Sequence, residues 1–421
     1  DLASSASGKR GLRPVAWSGQ GEEFYALDGR TTPTRSVVLW NARENTERLL
    51  YTHPDADMDE FQLDPSGRPW IFSGISHVPV YWYPDPAHPL AQLHRTLTQQ
   101  LAPERVDIMN VTDDLSTAVV RVSSAREPGM FLVVDVRTAT SLTGMQTYPK
   151  LQGRRLSAVD AIEFRARDGL PVRGYLTTPL QSDGTPRTGL PLLVMSHSGP
   201  RGEAAGSRYD QERQLFASRG YAVLEVNARG SVGRGAAYEQ AGEGRWGREV
   251  QDDFVDAVRW AIRDGVAAPG RTCFYGSGYG AYSAMLAAAR EPDLFQCVIG
   301  LAGIYDLPQM QKDLASSTAP DQAAAQLLFA RAFGTDPQEL WARSPASQAG
   351  SIKARVMLIH QHQYWLLSRD QAQAMNKALR AAGNRVQFDT IGAADGGYFQ
   401  LTPRMDVYRR MLRFLEQNIG K

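Results

Sequence analysis

Cysteine is scarce: the 421 residues hold two, Cys273 and Cys297, both inside apolar strand-like runs. Two cysteines exclude a disulfide framework and a thiolate metal site, and the run around each predicts a buried free thiol. Charge of one sign is also missing. Lys+Arg number 46 and Asp+Glu 45, which leaves a net charge of +1. Neither a general affinity for nucleic acid nor attraction to an anionic membrane surface is therefore expected. No stretch reaches the roughly 18 consecutive apolar residues that a membrane-spanning helix needs. The chain begins at Asp1, and no signal-peptide pattern follows. A fragment or a processed product is the expectation, and the sequence does not assign a compartment. Histidine is rare as well, with seven in all and none after His362.

What is present divides near residue 157. Residues 1–157 carry short β-type runs separated by turn clusters such as Asp64-Pro-Ser-Gly67. The runs include Phe24-Tyr-Ala-Leu27, Ser36-Val-Val-Leu-Trp40, Arg48-Leu-Leu-Tyr51, Trp70-Ile-Phe72, Pro79-Val-Tyr-Trp-Tyr83, Ala118-Val-Val-Arg-Val122 and Met130-Phe-Leu-Val-Val-Asp-Val136. Their density suits propeller blades. About three blades fit, fewer than the four with which propellers close. The expectation is an incomplete all-β, propeller-like segment with open strand edges, which favour self-association or closure by further chain.

From residue 158 to 421, strands alternate with helical stripes, which predicts an α/β domain with a mostly parallel sheet. A hairpin at residues 161–176 leads into apolar strands at Leu192-Leu-Val-Met195, Tyr221-Ala-Val-Leu-Glu-Val226 and Thr272-Cys-Phe-Tyr275. More follow at Cys297-Val-Ile-Gly-Leu301, Val356-Met-Leu-Ile359 and Val386-Gln-Phe388, for eight in total. Stripes such as Phe254, Val258 and Ile262, or Tyr408, Met411, Leu412 and Leu415, read as the core faces of helices.

Several segments carry more specific information. They are His197-Ser-Gly-Pro-Arg-Gly202, Ala217-Ser-Arg-Gly-Tyr-Ala-Val223, Asn227-Ala-Arg-Gly-Ser-Val-Gly-Arg-Gly235, Gln251-Asp-Asp253, Tyr275-Gly-Ser-Gly-Tyr-Gly-Ala-Tyr282, Arg290-Glu-Pro-Asp-Leu-Phe295, Tyr305-Asp-Leu-Pro308 and Leu358-Ile-His360. Each alone is weak. In this order, over about 260 residues, they resemble the peptidase domain of the prolyl oligopeptidase family, especially its dipeptidyl- and acylaminoacyl-peptidase-like members. The resemblance implies an α/β-hydrolase fold with an eight-stranded sheet, a preceding β-propeller and a Ser…Asp…His triad.

The triad positions depart from that pattern. In the hydrolase turn a nucleophile sits between small residues two before and two after it. Gly276 and Gly280 flank the apex, which is Gly278, where the family carries serine. A hydrogen side chain offers no oxygen for attack. The family's acid position falls on Tyr364, which is uncharged near neutral pH and cannot stabilise an imidazolium as a carboxylate does. Its histidine position falls on Gly396. Ser277 and Ser283 are the neighbouring hydroxyls, with turn and helix packing as their ordinary role. Asp370 reads as a helix N-cap and His360 as a structural residue at a strand end. His360 and His362 lack a third ligand, so no metal is expected.

The oxyanion-hole parts are better kept, with Tyr279 supplying a backbone N–H and Ser198 and Gly199 in the turn after the first parallel strand. His362, Arg201, Arg229 and Arg234 are candidates for ligand binding, a solvated loop arginine being the ordinary alternative. The expected function is therefore a peptidase homologue without catalysis that binds peptides or a protein partner, with no cofactor. Hydrolysis by relocated groups is the alternative. A remoter one is dinucleotide binding, because Gly276-Ser-Gly-Tyr-Gly-Ala281 also fits a Gly-x-Gly-x-x-Ala fingerprint with Asp306 downstream.

Overall fold

The structure, a computed structural model, describes residues 11–180, 188–197, 199, 204–316, 322–361, 369–391 and 400–420. They form two compact units.

The first unit comprises residues up to Ala158 together with Ser207–Gln211 and Val232–Glu239. It contains three antiparallel sheets. One is built from β1 (Leu12–Trp17), β2 (Glu23–Asp28), β3 (Ser36–Asn41) and β4 (Thr46–Tyr51). The second has β5 (Met58–Leu63), β6 (Pro69–Ile75) and β7 (Pro79–Trp82). The third has β8 (Arg105–Val111), β9 (Thr117–Ser123), β10 (Met130–Asp135) and β11 (Thr140–Gln146). Each is a consecutive meander, the blade-like arrangement that the turn spacing predicts.

The strand pattern does not anticipate α1 (Pro89–Gln100) in this unit. Pro89 is pre-set for the first helical turn and His88 caps it, accepting from the Leu90 N–H. Leu90, Leu93, His94 and Leu97 form its buried stripe against Val106, Val120 and Trp70. The carboxylate of Asp57, 1% exposed, accepts the backbone N–H groups of Arg35 and Gly235 at 2.6 and 3.0 Å. That contact ties the 232–239 segment into the first unit.

The second unit is an eight-stranded sheet in the order β12-β13-β15-β14-β16-β17-β18-β19. The strands are β12 (Val159–Arg165), β13 (Pro171–Thr177), β14 (Leu190–Ser196), β15 (Ala222–Asn227), β16 (Ala267–Ser277), β17 (Cys297–Leu301), β18 (Arg355–Gln361) and β19 (Val386–Ile391). β12 and β13 pair antiparallel and β13 is antiparallel to β15; the other pairs are parallel.

Side-chain alternation splits the sheet's two faces. Val194, Phe274, Val298 and Leu358 join one core with Phe254 of α4 (Glu249–Arg263), the buried side of α5 (Tyr279–Arg290) and Met375 of α9 (Arg369–Ala381). Leu193, Tyr275, Ile299 and Met357 face Phe216 of α2 (Gln211–Ala217) and Met411 and Leu415 of α10 (Leu401–Ile419). Buried on both faces, these strands read as continuous apolar runs. Further α-helices among the described residues are α3 (Ala236–Gln240), α6 (Leu307–Ser316), α7 (Gln322–Phe333) and α8 (Pro337–Ala342).

The cysteine expectation is corrected. Cys273 and Cys297 are register partners on the adjacent parallel strands β16 and β17, with Cα atoms 4.6 Å apart, and they are joined as a disulfide. Both side chains point to the same face because paired residues in a sheet share a face, and both are fully buried. Among the described residues no helix is long and apolar enough to cross a membrane.

Candidate functional site

The site is built where β16 ends and α5 begins. Ser277 is the last strand residue and Tyr279 the first of the helix. Gly278 lies between them at φ 54°, ψ −116°, a backbone state that glycine enters without the usual side-chain cost. Its N–H donates to the Leu301 carbonyl at 3.0 Å, and its own carbonyl accepts from Tyr282 and Ile304, both at 3.3 Å. The turn is thus pinned to the end of β17 and to the loop beyond it.

The flanking glycines are required by sterics. A Cβ on Gly276 would overlap the carbonyl of Gly280. A Cβ on Gly280 would lie 2.8 Å from the Ser196 carbonyl oxygen and 3.0 Å from that of His197. The same crowding explains the Gly-x-Gly-x-Gly spacing that also fits a dinucleotide fingerprint. Asp306, the acid of that alternative, instead accepts from the Gln309 N–H at the start of α6.

Around the turn the helix is anchored by aromatic rings. Tyr279 stacks on Tyr282 with centroids 5.4 Å apart, and Trp246 meets Tyr279 edge-on at 5.8 Å. Burial raises the pKa of both tyrosines, so neither hydroxyl ionises near neutral pH. Ser283 is fully buried and accepts from Gln251 Nε2 at 3.1 Å, which gives it the packing role. The backbone N–H of Tyr279 is the first amide of α5, at the positive end of the helix.

Across the turn, His197 follows β14. Its Nδ1 lies 2.5 Å from the Gly199 carbonyl, which can only accept, so Nδ1 carries the proton. Nε2 then lies 3.3 Å from the Ser231 hydroxyl oxygen, whose single proton is donated to the Ala228 carbonyl at 2.7 Å. Sequence reasoning passes over this pair because its members are 34 residues apart. Gln371, 1% exposed, is a second such case. Its Oε1 accepts from the Tyr305 and Asp306 N–H groups at 2.7 and 2.8 Å, and its Nε2 donates to the Asp306 carbonyl at 2.8 Å. A glutamine in the otherwise apolar stripe of α9 is the only sequence signal for it.

Arg229, a candidate for ligand binding, has its guanidinium taken up internally. Its Nη2 and Nε reach Asp253 at 2.7 and 3.0 Å, its backbone N–H donates to Asp253 at 2.8 Å, and Nη1 reaches Asp168 at 2.6 Å. Asp253 is fully buried on α4. Burial pushes its carboxyl up, while the guanidinium beside it pulls back down. Desolvation opposes the arginine's charge, but its two carboxylates outweigh that and raise its pKa, so the group stays cationic. The bidentate geometry makes this a structural lock rather than a ligand clamp. The Gln251-Asp-Asp253 run was its sequence signal.

Arg234 lies over the Tyr238 ring at 4.1 Å, within the first unit. His360, the penultimate residue of β18, is buried. Asp370 lies in the first turn of α9, one residue past its start and not at the N-cap, where its charge complements the helix dipole. Ser198, Arg201, His362, Tyr364 and Gly396 lie outside the described residues. No cluster of three metal-ligating side chains occurs among the described residues.

Comparison with known proteins agrees with the fold. The sequence pattern of the prolyl oligopeptidase family matches residues 207–421. Dipeptidyl aminopeptidase BIII of Pseudoxanthomonas mexicana is 30% identical over 349 residues, which is 80% of this chain and 49% of that protein. Dipeptidyl peptidase family member 6 of Caenorhabditis elegans is 28% identical over 372 residues, 82% of this chain and 49% of that one. The chain spans about half the length of these relatives. A puromycin-hydrolyzing peptidase of Mycobacterium tuberculosis shares the fold, with a TM-score of 0.77 at 20% identity over 95% of this chain and 60% of that one.

Proposed function

We propose, because the chain belongs to the prolyl oligopeptidase family, that it is a peptidase homologue which binds peptides or a protein partner without cleaving them. The observation that carries this reading is Gly278 at the apex of the strand-to-helix turn. The position that delivers the nucleophile in this fold has no side-chain oxygen. Two further points support it. The family's acid and histidine positions fall on Tyr364 and Gly396, and no histidine follows His362 to act as the base. The first amide of α5 and the turn at His197 and Gly199 are the kind of donors that hold a carbonyl oxygen, and donors without a nucleophile give binding only.

One observation favours a second reading, hydrolysis through relocated groups. His197 has its Nδ1 proton oriented by a carbonyl and its Nε2 aimed at the Ser231 hydroxyl, the arrangement of a serine–histidine dyad. Against it, Ser231 is 2% exposed and its one hydroxyl proton is donated to the Ala228 carbonyl at 2.7 Å rather than to Nε2.

Fluorophosphonate labelling followed by peptide mapping separates the two. Binding without hydrolysis predicts no adduct and no turnover of aminoacyl or dipeptidyl chromogenic substrates. A stoichiometric adduct on Ser231 or Ser277 would replace the first reading with the second.

A further inference from the structure

The chain has two cysteines, and one bond, Cys273 to Cys297, uses both. With no third thiol the pairing has no rival, so its formation needs an oxidant and no reshuffling. The bond joins register partners on β16 and β17, the two strands whose ends carry the Gly278 turn. Neither cysteine has any solvent exposure. Both lie on the sheet face that holds Phe216 of α2 and Met411, Phe414 and Leu415 of α10. α10 packs across β16 and β17, and it follows every strand of the sheet in chain order.

Thiol–disulfide exchange requires a thiolate to meet a sulfur of the oxidant directly. A pair sealed beneath α10 offers no such approach. We infer that an external disulfide oxidant makes the Cys273–Cys297 bond while the α10 face of the sheet is still open, and that the chain therefore folds in an oxidising compartment. One cysteine, as the thiolate, attacks the oxidant's disulfide and releases a first thiol. The other cysteine then attacks the mixed disulfide and releases a second thiol. Two electrons pass from the chain to the oxidant, and the two cysteine protons end on the oxidant's thiols. Chain order suits this course, because both cysteines precede α10. A reducing compartment keeps cysteines as thiols while a chain folds, and closure of α10 would then preserve two free thiols. Once the face is covered, the bond is equally out of reach of reductants, which makes it a permanent cross-link and not a redox switch.

Thiol trapping tests the compartment. The full chain from the cells that make it, quenched in acid and then unfolded and alkylated with N-ethylmaleimide, should carry no adduct until it is reduced. Adducts on Cys273 and Cys297 without prior reduction overturn the inference. Refolding tests the timing. The reduced, unfolded chain should close the bond when oxidised glutathione is present from the start, read by mass spectrometry as the loss of two hydrogens. The same oxidant added after refolding should leave both thiols free over that interval. Equal oxidation in the two orders overturns the inference. Leu415→Ala, which loosens α10, should speed the late oxidation by roughly tenfold or more, and a late oxidation indifferent to that change also counts against it. Trapping uses the unmutated chain as its cells deliver it, so it decides the matter even where the variant or the reduced chain fails to fold.

Discussion

The backbone carbonyl of Gly280 occupies the space in which a side chain on Gly276 would begin. The two glycines let β16 turn into α5 within three residues, and Gly278 sits at the apex of that turn. The geometry that would present a nucleophile therefore persists around a residue that has none.

This contact predicts that Gly276→Ala displaces the start of α5. Overpacking of a closed site costs roughly 1–3 kcal/mol. Gly280→Ala should behave alike, because its Cβ meets two carbonyl oxygens from the end of β14. Denaturant midpoints measure both, and midpoints equal to wild type would contradict the steric account.

Gly278→Ser should fold with the turn intact. It should lose roughly 1–3 kcal/mol for holding a non-glycine residue at positive φ. A lone hydroxyl there stays protonated without a base, so turnover should remain at trace level, within the roughly 10³–10⁴-fold over water that an oxyanion site alone supplies. The triple change Gly278→Ser, Tyr364→Asp, Gly396→His should exceed it. Robust activity of Gly278→Ser alone would show that a base is already in place.

The Arg229–Asp253 lock predicts a large, asymmetric mutational cost. Asp253→Ala leaves a buried guanidinium with only Asp168, itself 47% exposed. Breaking one side of a buried pair costs about 3–5 kcal/mol. Replacing both members with apolar residues of similar volume should cost much less. A double-mutant cycle in chemical unfolding checks this, and additive single effects would dissolve the lock.

His94 predicts acid sensitivity. It is 2% exposed, its Nε2 donates to the Val106 carbonyl at 2.9 Å, and its Nδ1 accepts from the Tyr83 hydroxyl at 2.8 Å. Burial pushes its pKa down from 6.5 to about 4, with Asp107 and Arg105 acting in opposite directions. Between those values the unfolded chain binds a proton that the folded chain refuses. Stability is therefore full above pH 6.5 and declines as pH falls toward 4, by about 3 kcal/mol in all. The neutral variant His94→Gln should flatten the stability–pH curve over that interval. An unchanged slope would assign the acid loss to other groups.

The two halves differ in how much of them the sequence makes legible, and the reason is physical. β14, β16, β17 and β18 are buried on both faces, so each is a continuous apolar run between turn signals. In the first unit β1, β5 and β8 are half exposed and β11 is exposed along nearly its whole length; all four mix polar with apolar residues, and their runs carry no such signal. The α1 stripe has a helical period but lies among strand-like runs, where a short window does not separate the two periods.

By itself the sequence determined what depends on neighbours within a few residues. It set the strand–helix alternation, the glycine-flanked turn with Gly278 at its apex, and the lack of any histidine beyond His362. Sterics and backbone dihedrals act at that range, so five residues specify the turn. Only the tertiary structure decided what depends on register and packing between distant segments. It joined Cys273 to Cys297 across neighbouring strands, gave Arg229 to Asp168 and Asp253 at separations of 61 and 24 residues, and left β11 as an uncharged edge. Those outcomes follow from which strands become neighbours, and burial of two apolar faces across a whole sheet sets that order.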